Sequence, residues 1–226
     1  MSDDEAVKRR IERSWLEYRW WFFLKSLVYV WCLVLYRVRL WGGGNLPRTG
    51  PVLLVSNHQS YIDPMLMCLG CPGRTYCSMA RSTLWRKGWL AFLLNSVHSL
   101  PVRQGDGDMA AMRGFIERLK DGQMLLVYPE GTRTEDGEVQ PFESGLMLLI
   151  KRAKPVVVPV AVEGAYDIWP KGRGFPRLSG RLGLSLGEPI EAEALIPLGA
   201  EGALGLLRDR VAEQVDEMRE RFDRWG

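Results

Sequence analysis

Val52-Leu53-Leu54-Val55-Ser56-Asn57-His58-Gln59-Ser60-Tyr61-Ile62-Asp63-Pro64 is the stretch on which the fold turns. Its first residues are an apolar, β-branched run, which predicts a buried strand. Its end, Asp63-Pro64, followed by Met65-Leu66-Met67, predicts a helix start with Asp63 as N-cap and Pro64 in the first helical position. His58 therefore lies in a strand-to-helix turn, five residues before a carboxylate. Such a turn can fold Asp63 onto one imidazole nitrogen and leave the other free as a base. A histidine near an aspartate is an ordinary pairing by itself. The weight here comes from its position at the end of a hydrophobic strand, in a chain with only two histidines.

A second polar cluster, Pro129-Glu130-Gly131-Thr132-Arg133, follows another apolar run, Met124-Leu125-Leu126-Val127-Tyr128. Ligands of open α/β sheets bind outside the carboxyl ends of the strands. If the two strands are parallel, His58 and Arg133 share one edge. Strand and helix patterns alternate with connections long enough for parallel crossovers. The expected class is α/β: a mostly parallel central sheet flanked by helices, with an N-terminal membrane-associated helical segment. Strands are expected at Arg37 to Trp41, Val52 to Val55, Tyr76 to Ala80, Met124 to Tyr128, Val156 to Val162 and Arg181 to Leu186. Helices are expected at Met65 to Leu69 (a short helix start), Leu84 to Leu94, Met109 to Leu119, Gly145 to Arg152 and Leu204 to Phe222.

These residues resemble a known family. Asn57-His58-Gln59-Ser60 with Asp63 is similar to the His-x4-Asp motif of the glycerolipid acyltransferases. Glu130-Gly131-Thr132-Arg133 resembles their phosphate-binding motif, and Ser99-Leu100-Pro101-Val102-Arg103 falls where the family has a strand ending in Arg. Val156-Val157-Val158-Pro159-Val160 resembles the fourth block, and Gly187-Glu188-Pro189-Ile190 a usual late element. Four blocks in order are far more specific than any one. The first and third are most like the lysophosphatidate-acylating branch of that family. One departure stands out: where the family often has Phe-Lys-x-Gly, this chain reads Phe142-Glu143-Ser144-Gly145, which opens the question of the acceptor.

The resemblance implies acyl transfer from a thioester, either acyl-CoA or an acyl-carrier protein, to a glycerol hydroxyl, with no further cofactor and no metal. His58 would be the base and Asp63 its partner. Arg133 would bind the acceptor phosphate as a planar fork, with Thr132 and the Gly131 N–H as further donors and Arg103 as a second cation. Glu130 would hold the acceptor hydroxyl or fix Arg133, and Asn57 and Ser60 would shape the turn. Other acceptors, a lysophospholipid or an aminolipid, remain within that chemistry. A thioesterase or esterase would have no use for Arg133, and a lipid-binding protein none for His58 and Asp63.

The chain of 226 residues suits one α/β domain with an appendage, here divided as 1–41 for the anchor and 42–226 for the acyltransferase domain. A net charge of +3 creates no field that calls for nucleic acid. The four cysteines give no disulfide framework, and Cys68-Leu69-Gly70-Cys71 lacks the second pair of a zinc site. Reduced thiols on the cytoplasmic side are the simpler expectation. Trp20 to Tyr36 is almost wholly apolar. As a helix it would be about 25 Å long, short of the roughly 30 Å hydrocarbon core. Its seven aromatic residues favour a helix lying in the membrane interface over a span or a core helix, so the bilayer is an expected partner, contacted monotopically or as a tight periphery. The loop Trp169 to Arg177 mixes aromatics and cations and fits either lipid contact or an ordinary surface loop. Gly183-Leu184-Ser185-Leu186-Gly187 matches a nucleophile elbow, but an elbow passes from strand into helix, and no helix follows here.

Overall fold

The runs at 52–55, 124–127 and 156–162 are apolar at every position, and alternate side chains of a strand point to opposite faces. Such strands are stable only in the middle of a sheet covered on both sides. The computed structural model has that architecture. It describes residues 19–224 apart from 21, 72, 87, 89, 90, 92, 93, 95–98 and 103–108. The strands are β1 (Tyr36–Trp41), β2 (Val52–Ser56), β3 (Tyr76–Arg81), β4 (Leu100–Val102), β5 (Met124–Val127), β6 (Val156–Glu163), β7 (Gly180–Leu186) and β8 (Ile190–Glu191). Their order is β1-β7-β6-β2-β5-β3-β4, with β8 also pairing β6.

Strands β6, β2, β5, β3 and β4 are parallel neighbours. β7 and β8 run antiparallel to β6. The connection from β6 to β7 holds only a single helical turn, Ala165–Ile168, so no crossover helix returns the chain to the other end of the sheet. β1 pairs in parallel with β7 along its whole length. The boundary expected after residue 41 therefore falls one strand late: residues 36–41 are the edge of the sheet, because their backbone groups find partners only there.

The helices are α1 (residues 22–35), α2 (Asp63–Gly70), α3 (Met109–Lys120), α4 (Gly145–Ala153), α5 (Ala165–Ile168), α6 (Ala192–Leu195) and α7 (Gly199–Asp223). One face of the sheet, with Val52, Leu54, Leu126, Val158 and Val160, packs under Leu66 and Met67 of α2 and Cys32 of α1. The other, with Leu53, Val55, Leu125 and Val157, packs under Phe115 of α3, Ile150 of α4 and Leu207, Val211 and Met218 of α7. The closing helix begins at Gly199, five residues before the Leu204 expected from its apolar pattern. Ser82–Arg86 is a 3₁₀ turn rather than the start of an α-helix, and much of the helix expected as far as Leu94 lies outside the described residues.

α1 divides its side chains cleanly. Cys32 is buried and Val28, Trp31 and Leu35 pack on the sheet cluster, while Lys25 Nζ donates to the Cys71 carbonyl at 3.2 Å. Phe22, Phe23, Leu27, Tyr29, Val30, Leu33 and Val34 are exposed. These positions recur at the three- and four-residue spacing of one helix face. Among the described residues, no helix is long and apolar enough to cross a membrane.

Candidate active site

β2 and β5 are adjacent and parallel, so the loops that leave their carboxyl ends meet at one edge. The 57–62 loop is held by polar groups that the strand pairing cannot supply. Asn57 Nδ2 donates to the Val162 carbonyl at 2.9 Å, and its Oδ1 accepts the Val162 N–H at 2.8 Å. The Asn57 amide thus continues the ladder between β2 and β6 beyond the last strand residue. Ser60 Oγ donates to the Trp169 carbonyl at 2.7 Å and accepts the Ile62 N–H.

His58 Nδ1 lies 2.7 Å from Asp63 Oδ2. The same oxygen accepts the backbone N–H groups of Gln59 and Ser60. The expectation that Asp63 caps the helix is corrected here. Asp63 is the first residue of α2 and Ile62 the N-cap, with no side-chain cap. The carboxylate turns back onto the loop amides of Gln59 and Ser60 instead. Asp63 is buried, and the imidazole is one-fifth exposed. With Nδ1 held by a carboxylate, Nε2 is the free nitrogen. The imidazole stacks on Tyr128, centroids 4.0 Å apart and planes 17° from parallel. Tyr128, expected as the end of a strand, lies in the turn after β5.

The 128–134 loop is tied to the first. Thr134 N–H donates to the His58 carbonyl at 2.8 Å, and His58 N–H approaches Glu130 Oε1 at 3.4 Å. Burial pushes the Glu130 carboxyl up to about 8, against the lowering effect of the Gln140 and His58 backbone N–H groups. Its Oε2 is buried and unpartnered among the described residues. Glu130 does not pair with Arg133, so that expected role is corrected: it bridges the two motif loops. As a neutral acid it can also donate through Oε2, which a carboxylate cannot.

The Arg133 guanidinium lies over the Tyr61 ring, 3.5 Å from its centroid. Its buried Nη1 has no partner among the described residues. The Gly131 N–H, expected as a phosphate donor, is already used within the turn, donating to the Tyr128 carbonyl at 3.1 Å. Gly131 has φ of +69°, and a Cβ there would lie 2.4 Å from Glu143 Oε1. The turn therefore requires glycine, and the Glu143 carboxylate sits directly against the Glu130–Arg133 loop. Thr132 is half-buried beside it. Arg103 and His98 lie outside the described residues.

Behind the dyad runs a network that the sequence did not announce. Gln59 Nε2 donates to the Gly137 carbonyl at 3.0 Å and to Glu163 Oε2 at 3.1 Å, and Gln59 Oε1 accepts the Tyr166 N–H. Arg219 of α7 reaches the same groups: Glu163 at 3.3 Å, Glu138 at 3.0 Å and the Gly137 carbonyl at 3.3 Å. Gly164, with φ of +80°, lets the chain turn into α5 where a Cβ would strike the Arg181 carbonyl. No spacing rule links positions 59, 137, 163 and 219; only the fold brings them together.

The remaining sequence features have structural fates. All four cysteines are free thiols, and burial raises Cys71 to about 12 and Cys32 and Cys77 to about 11, which keeps them protonated and unreactive. No group suited to holding a metal occurs among the described residues. Ser185 lies inside β7, not on an elbow.

Comparison with known proteins bears on this site. Residues 37–163 match the family model described as Acyltransferase. The chain is 23% identical over 186 residues, 82% of its length and 90% of the relative's, to a 1-acyl-sn-glycerol-3-phosphate acyltransferase of Bacillus subtilis. It is 31% identical over 208 residues, 88% of its length and 75% of the relative's, to a lyso-ornithine lipid O-acyltransferase of Pseudomonas aeruginosa. It spans about half the length of the plant and mammalian relatives it matches. The crystal structure of a 1-acyl-sn-glycerophosphate acyltransferase from Thermotoga maritima shares the fold, with a TM-score of 0.74 at 24% identity over 96% of this chain and 84% of that one. The matched segment begins at β1, ends with β6 and contains both motif loops, and on that evidence the chain belongs to the acyltransferase family.

Proposed function

We propose that this protein transfers a fatty acyl group from an acyl thioester to the free hydroxyl of lysophosphatidic acid, giving phosphatidic acid. The observation that carries the reading is the joint position of the His58–Asp63 pair and the unpartnered Arg133 guanidinium nitrogen at one sheet edge. The name of the Bacillus relative supports the acceptor. Arg133 takes the acceptor phosphate, and its stack on Tyr61 holds the guanidinium plane. His58 Nε2 removes the hydroxyl proton as the oxygen attacks the thioester carbonyl carbon. Asp63 holds the tautomer and stabilises the imidazolium. The C–S bond then breaks, and the imidazolium returns the proton to the departing thiolate. Both substrates meet in one crevice, so no acyl-enzyme is needed. The donor is acyl-CoA or acyl-carrier protein, and the exposed apolar face of α1 rests in the bilayer interface on the cytoplasmic side. Free thiols suit that reducing side.

A second acceptor class is favoured by one observation. Glu143 places a negative charge against the loop that carries Arg133. An anionic carboxylate there opposes a phosphate dianion and suits an amine, and the 31%-identical relative acts on a lyso-ornithine lipid. The deciding experiment is an assay of purified protein with lysophosphatidic acid and amine-bearing lysolipids, each with both thioester donors, read by mass spectrometry of the acylated lipid. Phosphatidic acid as a product is the expected result. Release of free fatty acid with no acylated lipid would replace the reading with thioester hydrolysis.

A further inference from the structure

The connection between β6 and β7 carries an apolar tip that nothing in the domain covers. Phe175 is 84% exposed and Leu178 74%, the two most exposed large apolar side chains among the described residues. Between and beside them stand Lys171, Arg173 and Arg177, all exposed. Lys171 pairs with Glu135 at 3.0 Å, whereas Arg173 and Arg177 have no acidic partner among the described residues.

The segment is held in shape from its base. Arg177 N–H donates to the Ile168 carbonyl at 3.0 Å and Arg173 N–H to the Pro170 carbonyl at 3.3 Å. Trp169 Nε1 donates to the Arg173 carbonyl at 2.9 Å. An ordered backbone that presents two large apolar side chains to water is built for another apolar phase. The Tyr36 hydroxyl donates to the Arg177 carbonyl at 2.8 Å. Tyr36 directly follows α1, so the tip lies beside the end of the helix whose outer face is apolar. At its other end, Trp169 meets Tyr61 with ring centroids 5.2 Å apart, and Tyr61 carries Arg133. The Trp169 carbonyl also accepts Ser60 Oγ from the His58 loop.

We propose that residues 170–178 form a second membrane-inserting arm. Phe175 and Leu178 enter the acyl-chain region of an anionic bilayer, and Arg173 and Arg177 meet its headgroup phosphates. Aromatic and aliphatic side chains flanked by cations are what such an interface selects. The tie to Tyr36 makes the arm continuous with the apolar face of α1. The contact of Trp169 with Tyr61 puts the mouth of the site at the level of the lipid headgroups. An acceptor then reaches Arg133 without its acyl chain leaving the bilayer. This last step rests on the acyl-transfer reading; the docking itself does not.

The test uses the full chain. The Phe175→Cys variant, labelled with an environment-sensitive fluorophore, reports insertion directly even though α1 also binds. A label at Glu201→Cys, in α7 on the opposite face of the sheet from α1, is the reference. With vesicles of phosphatidylcholine and phosphatidylglycerol, the label at 175 is expected to shift to the blue and be quenched by brominated acyl chains, and the label at 201 is not. Arg173→Gln with Arg177→Gln should reduce insertion into anionic vesicles by about tenfold at low salt and little at 1 M salt. Phe175→Ser with Leu178→Ser should lower transfer to a vesicle-embedded acceptor severalfold and leave transfer to a monomeric short-chain acceptor unchanged. A label at 175 that stays in water while the protein is vesicle-bound overturns the proposal, as does a parent protein that binds no vesicles. Absence of transfer to every acceptor, with insertion observed, removes only the acyl-transfer reading and leaves the arm in place.

Discussion

Asp63 Oδ2 is shared by three donors, His58 Nδ1 at 2.7 Å and the backbone N–H groups of Gln59 and Ser60 at 2.7 and 2.8 Å. One oxygen therefore fixes both the loop and the imidazole it carries. Asp63→Asn can present its amide oxygen to the same donors but has no charge with which to stabilise an imidazolium. The expected outcome is a folded protein whose transfer rate falls by roughly 10²–10⁴-fold, as for His58→Ala. Asp63→Ala strands buried N–H donors and should cost about 1–3 kcal/mol for each group left unpaired. Initial rates beside thermal unfolding separate the two effects. An Asp63→Asn enzyme within threefold of the parent rate would sink the assignment of Asp63.

Glu130 titrates near 8 because it is buried. Between the ordinary carboxylate range and about 8, the folded protein holds a proton that the unfolded chain has released. Stability should therefore fall as pH rises through that window. Glu130→Gln carries no titrating proton and should flatten the slope. Denaturation midpoints from pH 5 to 8.5 measure it, and equal slopes for the two proteins would place the pH dependence elsewhere.

Arg133 and Glu143 act on the acceptor with opposite signs. Arg133→Ala should weaken phosphate-bearing acceptors by about 1.5–3 kcal/mol, the worth of hydrogen bonds to charged groups, and Arg133→Lys should recover part of the loss. Glu143 is exposed, so its effect is screened. Glu143→Lys should shift preference toward lysophosphatidic acid over an amine-bearing lysolipid by about 1 kcal/mol, roughly fivefold. The observable is the ratio of kcat/KM values for the two acceptors. A ratio that does not move removes Glu143 from headgroup selection.

Arg219 joins the last helix to the back of the site through Glu163, Glu138 and the Gly137 carbonyl. Arg219→Ala should lower stability by about 1–3 kcal/mol, since Glu163 then lacks its cation. Most of that loss should vanish in a Glu163→Gln background, where no charge is stranded. A double-mutant cycle by chemical denaturation gives the coupling; additivity would mean that the contact carries no net energy.

Much of this protein was legible in order along the chain. The apolar runs at 52–55, 124–127 and 156–162 became the three central strands, because a strand without polar alternation buries all its side chains only in the interior of a sheet covered on both faces. The His58–Asp63 pairing was legible because five residues of turn bring the two side chains together locally. The tertiary structure decided what local sequence has no access to. It set the antiparallel return of β7 against β6, and it placed residues 36–41 in the sheet against partners far along the chain, Tyr36 opposite Gly180 and Trp41 opposite Ser185. It moved Asp63 from capping a helix to binding loop amides, spent the Gly131 N–H within a turn, and stacked Tyr128 on His58 and Tyr61 under Arg133. It assembled Gln59, Gly137, Glu163 and Arg219 into one network. Hydrophobic periodicity records how each segment buries its own surface. Which polar groups then meet at the sheet edge is fixed by strand order, and strand order is a property of the whole chain.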